Sequence, residues 1–406
     1  MIVADVTQSW SAVGGGVGTY LRAKRRYLLE RTEATHVMVL PGPRTETLVE
    51  AGGRAISCFV KSPPVPFSPN YRLMLDNRAV RAALAAHRPD VIECQDAYNL
   101  PWAALRHARR NPGTAVVGAY MTDFPTAYVS RPIGKVAGAA VGGALARLAY
   151  AYVGQLYRRF DLAYALSRHG GADKLERAGV TGVEVVPLGA DIDAFSPDLR
   201  DEGFRAALGV APGQALLVYA GRMDAEKRAQ TVVDAFLALP EELGAHLLLL
   251  GDGPLREKFV AQGAGRRLHA LGFVGERARL ATALASADLY VSGMADETFG
   301  LSIVEAQASG LGIVGVAAGA MIDRVPAALG RLGPVGDGAA MADNIRAMLG
   351  TDLVALRGAA RAHAERYSWT ATMDRLVGEL YPLARARAAA SAGRAPVRGG
   401  APLAEA

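Results

Sequence analysis

The chain has 406 residues, of which 51% are hydrophobic and 21% are charged, enough to form the cores of about two domains. Its net charge of +6 favours anionic ligands, such as phosphates or an anionic membrane surface. The two cysteines, Cys58 and Cys94, exclude a disulfide framework and a cysteine-based zinc site, and they favour a reducing cytoplasm. The most apolar helical segment, residues 136–146, is too short to span a bilayer, so we expect a soluble or peripheral protein.

Short apolar runs alternate with helical patterns along the first half of the chain, which is typical of a doubly wound α/β domain. The runs predicted to be strands are residues 1–6, 36–40, 55–60, 90–94, 114–120 and 162–167. Gly15 and Gly16 lie between the first strand and a helical pattern at residues 19–30, where glycine lets a phosphate approach a helix N-terminus. Their spacing does not match the dinucleotide fingerprint, so a phosphate cradle and a plain flexible loop both stay open.

A connector flanked by proline and glycine, residues 187–195, separates the two halves of the chain. It contains Asp191 and Asp193, an acidic pair that is compatible with a metal site. The segment contains no further acidic residue or histidine, so we interpret it as the interdomain linker.

A second α/β series follows the connector. Its predicted strands are residues 215–220, 245–250, 268–274, 287–293 and 311–316. Arg222 and Lys227 follow the first of these strands and precede a helical pattern at residues 229–239. Ligands of open α/β sheets bind at the carboxyl ends of the strands, and an arginine with a lysine suits a diphosphate there. A solvated turn with surface charges is the alternative.

Residues 297–305 lie in a strand, loop, helix and strand pattern. Glu297 is predicted to lie in the loop, and the amides of Phe299, Gly300 and Leu301 to be free at the helix start. Glu305 lies about one turn into the helix and can face the same crevice. Two carboxylates and several amides suit a ligand with many hydroxyl groups. Two solvent-exposed glutamates are the alternative.

Taken together and in order, these segments resemble a known enzyme family. The chain resembles the retaining, nucleotide-sugar-dependent glycosyltransferases of the GT-B fold, of the group 1 or family-four type. The matching segments are residues 14–16, 187–195, 221–227, 251–254, 272–274 and 297–305.

The resemblance covers residues 1–382 and implies an α/β fold of two Rossmann-like, doubly wound domains that face a central cleft. We expect residues 1–190, with a returning helix at 370–382, to form the acceptor-binding domain. We expect residues 191–369 to form the domain that binds the nucleotide sugar. The tail, residues 384–406, is rich in Ala, Arg, Gly and Pro and is predicted to be disordered.

The resemblance also implies roles for the donor diphosphate. Arg222 and Lys227 are expected to neutralise the charge that develops on the leaving diphosphate. Gly15 and Gly16 are expected to approach the donor phosphates from the first domain. Such enzymes generally need no metal and no cofactor, because the nucleotide sugar is itself a substrate.

For the sugar and the nucleoside, the resemblance implies a second set of contacts. Glu297 and the amides of residues 299–301 are expected to bind the sugar hydroxyls. Glu305 is expected to bind the ribose hydroxyls, with Phe273 and Val274 near the base.

The chain departs from the family pattern at two places. Met121 stands where many relatives carry a histidine over the donor sugar, and methionine can neither donate a hydrogen bond nor transfer a proton. Asp123 is the first candidate to serve instead; the alternatives are that no such group is required or that activity is impaired. Residues 318–320 replace the usual glycine pair and acidic residue, which leaves the donor sugar open.

A basic and partly apolar segment bears on the acceptor side. Arg131, Lys135, Arg147 and residues 157–159 flank the helix of small residues at 136–146. Such a segment can lie on anionic lipid, and an ordinary buried helix with solvated ends is the alternative.

These observations lead to one function and two alternatives. We expect a hexosyltransferase that uses a UDP- or GDP-hexose, acts on a lipid, glycan or small-molecule acceptor and binds no nucleic acid. We expect it in the cytoplasm, with peripheral contact to the inner membrane face as a further expectation. The alternatives are a nucleotide-sugar epimerase on the same fold and a catalytically silent subunit that binds sugar nucleotides.

Overall fold

The computed structural model describes residues 1–11, 15–66 and 68–393, and the chain divides into two compact units. The first unit comprises the described residues of 1–164, 178–184 and 373–393. The second comprises residues 165–177 and 185–372. Residues 165–177 and 185–190, which sequence analysis places in the first domain, therefore pack in the second unit. An apolar run indicates a strand or a packed segment, but it does not show which core the segment joins.

The first half of the chain builds a mostly parallel sheet. Its strands are β1 (Ile2–Val6), β2 (Thr35–Gly42), β3 (Glu46–Glu50), β4 (Ala55–Lys61), β5 (Pro64–Val65), β6 (Ser68–Arg72), β7 (Val91–Cys94), β8 (Ala115–Tyr120), β9 (Leu162–Ala165) and β10 (Glu184–Val185). The order in the sheet is β10-β9-β8-β7-β1-β2-β4-β3, and β5 pairs with β6 separately. The antiparallel edge strand β3 was not predicted, because its residues are mostly exposed and show no apolar run.

Helices connect these strands. They are α1 (Gly16–Arg31), α2 (Asn77–His87), α3 (Leu100–Ala108), α4 (Arg131–Ala137), α5 (Ala139–Tyr157) and α6 (Asp173–Arg177). Within the described residues, no helix is both long enough and apolar enough to cross a membrane.

A buried charge cluster joins the central strands of the first unit to α1. The Nζ atom of Lys24 lies 2.7 Å from Oδ1 of Asp5 and 2.9 Å from Oε1 of Glu93, and all three side chains are fully buried. The Nε2 atom of His36 lies 2.6 Å from Oδ2 of Asp5. Burial alone would raise the pKa of Asp5, but Lys24 and His36 outweigh it and lower the pKa to about 2. The cluster is therefore held by charges that compensate one another inside the core.

The second unit contains a parallel sheet in the order β13-β12-β11-β14-β15-β16. Its strands are β11 (Leu216–Ala220), β12 (His246–Leu250), β13 (Leu268–Gly272), β14 (Leu289–Val291), β15 (Gly312–Val316) and β16 (Gly330–Gly333). Its helices are α7 (Glu202–Ala207), α8 (Ala229–Leu237), α9 (Arg256–Gln262), α10 (Arg277–Ala285), α11 (Leu301–Ala308), α12 (Ala320–Arg324), α13 (Gly338–Leu349) and α14 (Leu353–Ala364). The strand order reverses between β11 and β14, which is the point at which sheets of this kind bind ligands. The edge strand β16 was not predicted, because two of its four residues are glycine.

The C-terminal helical run begins in the second unit and ends in the first. It consists of α15 (Trp369–Arg375), a π-helical segment (Leu376–Leu380) and α16 (Tyr381–Gly393). The hydroxyl of Tyr381 donates to Oε2 of Glu93 at 2.8 Å, which ties the run to the buried cluster. The prediction of disorder from residue 384 is wrong as far as Gly393, because Ala384 and Ala388 are buried and alanine favours helix. Residues 394–406 lie outside the described part of the chain.

Removal of the Tyr381 hydroxyl tests the attachment of this helix. Tyr381→Phe leaves one oxygen of a buried carboxylate without its donor, so we expect a loss of about 2 kcal/mol in the free energy of unfolding. Urea-induced unfolding of the variant and the parent protein measures this difference in the free energy of unfolding. Tyr27→Phe is the matched control, because the Tyr27 hydroxyl bonds to Asp374 at the surface of the same unit. Equal losses for both variants would contradict the attachment through Glu93.

Candidate active site

Two glycine-rich turns touch at the carboxyl ends of β11 and β12. Gly251 has φ 133°, and a Cβ atom there would lie 2.0 Å from the carbonyl oxygen of Gly221. Gly253 has φ 155°, and its Cβ atom would lie 2.5 Å from the carbonyl oxygen of Met223. Only glycine permits this approach, so the turn after β12 fixes the path of the loop between β11 and α8.

Arg222 lies at the start of this loop, with 62% of its side chain exposed. Its Nη1 atom lies 2.8 Å from Oδ2 of Asp224, and its Nη2 atom lies 2.9 Å from Oε2 of Glu226. The hydroxyl of Tyr219 donates to the Arg222 carbonyl at 2.7 Å and fixes the backbone. The pair with Glu226 is exposed on both sides, and exposed ion pairs contribute little to stability, so Arg222 can exchange this carboxylate for a phosphate at low cost.

Lys227 lies at the other end of the loop and faces Glu297. Its Nζ atom is 3.5 Å from Oε2 of Glu297, and the two side chains are 29% and 22% exposed. The backbone N–H of Lys227 donates to Oδ1 of Asp224 at 2.8 Å. The structure thus brings together a cation and a carboxylate that the sequence separates by 70 residues.

The loop that carries Glu297 is held by hydrogen bonds that two other segments donate to its backbone carbonyls. The N–H of Ala320 donates to the Glu297 carbonyl at 2.9 Å, and Oγ of Ser167 donates to the Thr298 carbonyl at 2.8 Å. A Cβ atom on Gly170 would lie 2.7 Å from the Glu297 carbonyl oxygen, so glycine is required there. Sequence analysis missed Ser167 and Gly170, although a serine at the end of a predicted strand and two glycines shortly after it were a signal for close backbone contact.

Phe299 is a packing residue that anchors the same loop. Its ring is 3% exposed, and the guanidinium of the buried Arg324 lies 4.8 Å from the ring centroids of both Phe299 and Tyr367. The Nε atom of Arg324 donates to the Phe299 carbonyl at 3.1 Å, and burial lowers the pKa of Arg324. Gly300 has φ 87°, and α11 begins at Leu301, within the stretch 299–301 that was predicted to form the helix start. The first turn of α11 therefore starts beside Glu297 without a side-chain cap, which suits hydroxyl or anionic groups.

Glu305 lies in α11 and is paired with Arg277. Its Oε1 atom is 3.2 Å from Nη2 of Arg277, whose Nε atom lies 3.3 Å from Oδ2 of Asp191. Burial raises the pKa of Glu305 to about 7, and Arg277 opposes this only in part. Asp191, interpreted from the sequence as part of the linker and as the first residue of the second domain, lies in the second unit beside this pair. Across the described ranges, no group of three or more His, Cys, Asp or Glu side chains is placed to hold a metal ion.

Phe273 and Val274 directly follow β13. The Phe273 side chain is 79% exposed, and Val274 is partly buried. An exposed phenylalanine at the carboxyl edge of a parallel sheet offers a face on which a planar base can stack.

In the first unit, Gly15 and Gly16 lie at the N-terminus of α1. Gly15 has φ 90°, and Gly16 is the first residue of the helix; Gly14 lies outside the described residues. Asp96, which sequence analysis missed, accepts from Oγ1 of Thr7 at 2.6 Å and thereby fixes the start of the loop that leads to these glycines.

Asp123 follows β8 in the first unit and is 4% exposed. One carboxylate oxygen accepts from the hydroxyls of Tyr120 and Tyr150, each at 2.8 Å. Met121, in the place of the expected histidine, is also buried. The Asp123 carboxylate thus accepts hydrogen bonds from two tyrosines. Its assignment to catalysis stays a prediction.

Comparison with known proteins identifies the family. A model for glycosyltransferase family 4 matches residues 14–194, and one for glycosyl transferases group 1 matches residues 214–351. A GDP-mannose-dependent alpha-mannosyltransferase of Mycobacterium tuberculosis is 30% identical over 308 residues, which cover 75% of this chain and 76% of that protein. This chain belongs to the group 1 and family 4 glycosyltransferases. A GDP-mannose-dependent alpha-(1-6)-phosphatidylinositol dimannoside mannosyltransferase of the same species is 28% identical over 380 residues, 91% of this chain and 93% of that protein.

Solved structures identify the fold as GT-B, with two Rossmann-like domains. Sucrose-phosphate synthase from Thermosynechococcus elongatus superposes with a TM-score of 0.73 at 19% identity, over 94% of this chain and 98% of that chain. The Anabaena protein HepE in complex with UDP superposes with a TM-score of 0.70 at 17% identity, over 94% of this chain and 100% of that chain. The predicted family and fold are confirmed, and the protein is a nucleotide-sugar glycosyltransferase.

The exposed ring of Phe273 generates a prediction for nucleotide binding. Phe273→Ala should weaken nucleotide diphosphate binding about tenfold, because stacking of a base on an aromatic ring contributes about 1–3 kcal/mol. Titration calorimetry measures the affinity. Val354→Ala changes a side chain that is 83% exposed on α14 and should leave the affinity unchanged. An unchanged affinity for Phe273→Ala would remove the ring from the base site.

The raised pKa of Glu305 generates a prediction for stability. Because the folded state holds this proton more tightly than the unfolded chain, the stabilising effect is complete below pH 4.5 and is lost as the pH rises through about 7. Glu305→Gln cannot ionise, so its thermal midpoint relative to the parent protein should be higher at pH 8 than at pH 5. The difference should correspond to at most about 3 kcal/mol.

Glu257→Gln is the control for this measurement, since Glu257 is exposed on α9. Its midpoint relative to the parent should be the same at both pH values. A Glu305→Gln variant without a pH-dependent difference would show that the carboxyl ionises normally in the folded protein.

Proposed function

We propose that this glycosyltransferase transfers a hexosyl group from a nucleotide diphosphate hexose, GDP-mannose first among the candidates, to an acceptor hydroxyl with retention of configuration. The observation that carries the proposal is the meeting of Lys227 and Glu297 at the carboxyl edge of the second sheet, beside Arg222 in the same loop as Lys227. This edge offers cations for a diphosphate next to a carboxylate and a helix N-terminus for sugar hydroxyls.

The cations act on the leaving group. As the bond between the anomeric carbon and the β-phosphate oxygen breaks, negative charge grows on the diphosphate. Lys227 and Arg222 then bind the transition state more strongly than the ground state, which lowers the barrier. In this proposal the two side chains supply the positive charge for the departing diphosphate, so the reaction needs no metal ion.

The configuration at the anomeric carbon is retained because the acceptor attacks from the same face that the phosphate leaves. The acceptor oxygen bonds to the anomeric carbon on that face, and the departing phosphate oxygen takes the acceptor proton, so no protein nucleophile is used. Glu297 and the amides of residues 299–301 hold the sugar hydroxyls in place. The buried, doubly hydrogen-bonded Asp123 favours a mechanism in which neither it nor Met121 transfers a proton.

Relatives support the choice of donor and acceptor. The two Mycobacterium tuberculosis proteins are described as GDP-mannose-dependent, and one of them as acting on phosphatidylinositol dimannoside. We therefore place GDP-mannose ahead of UDP-hexoses and a glycolipid ahead of other acceptors. Because Anabaena HepE, which shares this fold, was also solved in complex with UDP-glucose, UDP-glucose is included in the test panel.

Transfer assays with GDP-mannose, UDP-glucose and UDP-galactose test the proposal against glycolipid, glycan and polyol acceptors. We expect one donor to be consumed only when an acceptor is present, in chelator-treated buffer, with the donor's anomeric configuration kept in the product by NMR. Conversion of a donor without an acceptor would indicate an epimerase. Binding without turnover for every acceptor would indicate a silent subunit.

Substitution of Lys227 tests the role of the cation. Lys227→Ala should lower kcat by about a hundredfold or more, because loss of one group that stabilises transition-state charge costs about 3–4 kcal/mol. Lys258→Ala, on exposed α9 of the same unit, should keep the parent rate. A Lys227→Ala enzyme with near-parent kcat would contradict the diphosphate role.

A further inference from the structure

Helices α4 and α5 of the first unit, together with the π-helical segment Pro125–Ser130 that precedes them, expose apolar side chains in succession. Val136 is 90% exposed, Leu148 68%, Tyr128 53% and Val141 46%. Lys135 and Arg147 are exposed among them. These six residues define what we name the α4–α5 surface.

The packing of α5 explains this exposure. Gly138, with φ 88°, turns the chain between α4 and α5. A Cβ atom on Gly142 would lie 2.6 Å from the carbonyl oxygen of Ser130, so α5 contacts the preceding segment through a glycine. Gly142 and Ala146 are the buried positions in the first half of α5, while most of their neighbours face solvent. The alternative of an ordinary buried helix is therefore wrong for this half of α5.

The charge of this segment is entirely positive. Residues 124–160 contain five Lys and Arg residues and no Asp or Glu. A second copy of the same surface would meet it with like charge, which disfavours a symmetric dimer through this face. Apolar side chains interspersed with cations instead match the interface of a bilayer that carries anionic lipids.

We propose that the α4–α5 surface docks the protein on an anionic lipid bilayer. Val136, Val141 and Leu148 enter the boundary between head groups and acyl chains, and Lys135 and Arg147 contact the lipid phosphates. The contact is peripheral, since the surface offers only a few side chains for insertion. Docking does not depend on which donor or acceptor the enzyme uses, so it can be tested separately from transfer.

Vesicle co-sedimentation of the full chain tests docking. The vesicles are pure phosphatidylcholine, or phosphatidylcholine with phosphatidylglycerol at low salt. We expect binding to the anionic vesicles, little binding to the neutral ones, and release by salt. Lys135→Gln/Arg147→Gln should lower the partition coefficient about 25-fold, since each cation near an anionic surface contributes about a factor of five. Val136→Ser/Leu148→Ser should lower it at least about tenfold.

Matched controls use exposed residues of the second unit. Lys258→Gln/Arg279→Gln removes the same number of charges, and Val354→Ser removes an apolar side chain that is 83% exposed. Both controls should bind vesicles like the parent. All variants should keep the parent's thermal midpoint, because the substituted side chains are exposed.

Four results would overturn the proposal. Two of them concern the parent protein: it does not bind anionic vesicles, or it binds neutral vesicles equally well. The third is that Lys135→Gln/Arg147→Gln and Val136→Ser/Leu148→Ser both bind like the parent. The fourth is a dimer, detected by sedimentation velocity, that Val136→Ser/Leu148→Ser abolishes. The last result would assign the surface to a second copy of the chain. A transfer assay in detergent, without vesicles, distinguishes failure of docking from failure of the proposed reaction.

Discussion

The pairing of Lys227 with Glu297 depends on the adjacency of β11 and β14 in the second sheet. These strands lie side by side although 72 residues separate the paired Leu217 and Leu289, and the loops after them therefore meet. The hydroxyl of Tyr290 donates to the Ala220 carbonyl at 3.1 Å and fastens the ends of the two strands together. Without this reversal of strand order, the cation and the carboxylate would have no common site.

Three cations of this edge already have carboxylate partners. Arg222 contacts Asp224 and Glu226, Lys227 contacts Glu297, and Arg277 contacts Glu305 and Asp191; all of these contacts lie within the second unit. These ion pairs hold the loops in place. In the proposed site, a diphosphate offers denser negative charge than a single carboxylate, so it can take over Arg222 and Lys227 without moving the strands.

Sequence reasoning succeeded where the chemistry lies directly at strand ends. The apolar runs identified β11 to β15, and parallel strands bring their carboxyl ends to one edge, so the proximity of Arg222, Lys227 and Glu297 could be inferred. It failed for the edge strand β3, whose side chains are mostly exposed, and for the edge strand β16, in which two of four residues are glycine. It also failed for α16, because an alanine-rich tail was taken as unstructured although alanine favours helix.

Sequence reasoning did not predict the contacts between distant segments. Ser167 holds the Thr298 carbonyl and Arg324 holds that of Phe299, and neither residue has a pattern that names its partner. The position of Asp191 beside Arg277 likewise follows from the packing of residues 185–195 in the second unit. Periodicity indicates elements, but partners of this kind are determined only by tertiary packing.

The central claim is that the carboxyl edge of the second sheet receives the donor diphosphate between Arg222 and Lys227. A crystal structure with a bound nucleotide diphosphate hexose tests it most directly. We predict that the diphosphate oxygens lie within hydrogen-bond distance of the Lys227 Nζ atom and the Arg222 guanidinium. The guanidinium should then no longer contact Asp224 and Glu226. A diphosphate bound elsewhere, with both of those ion pairs intact, would contradict it.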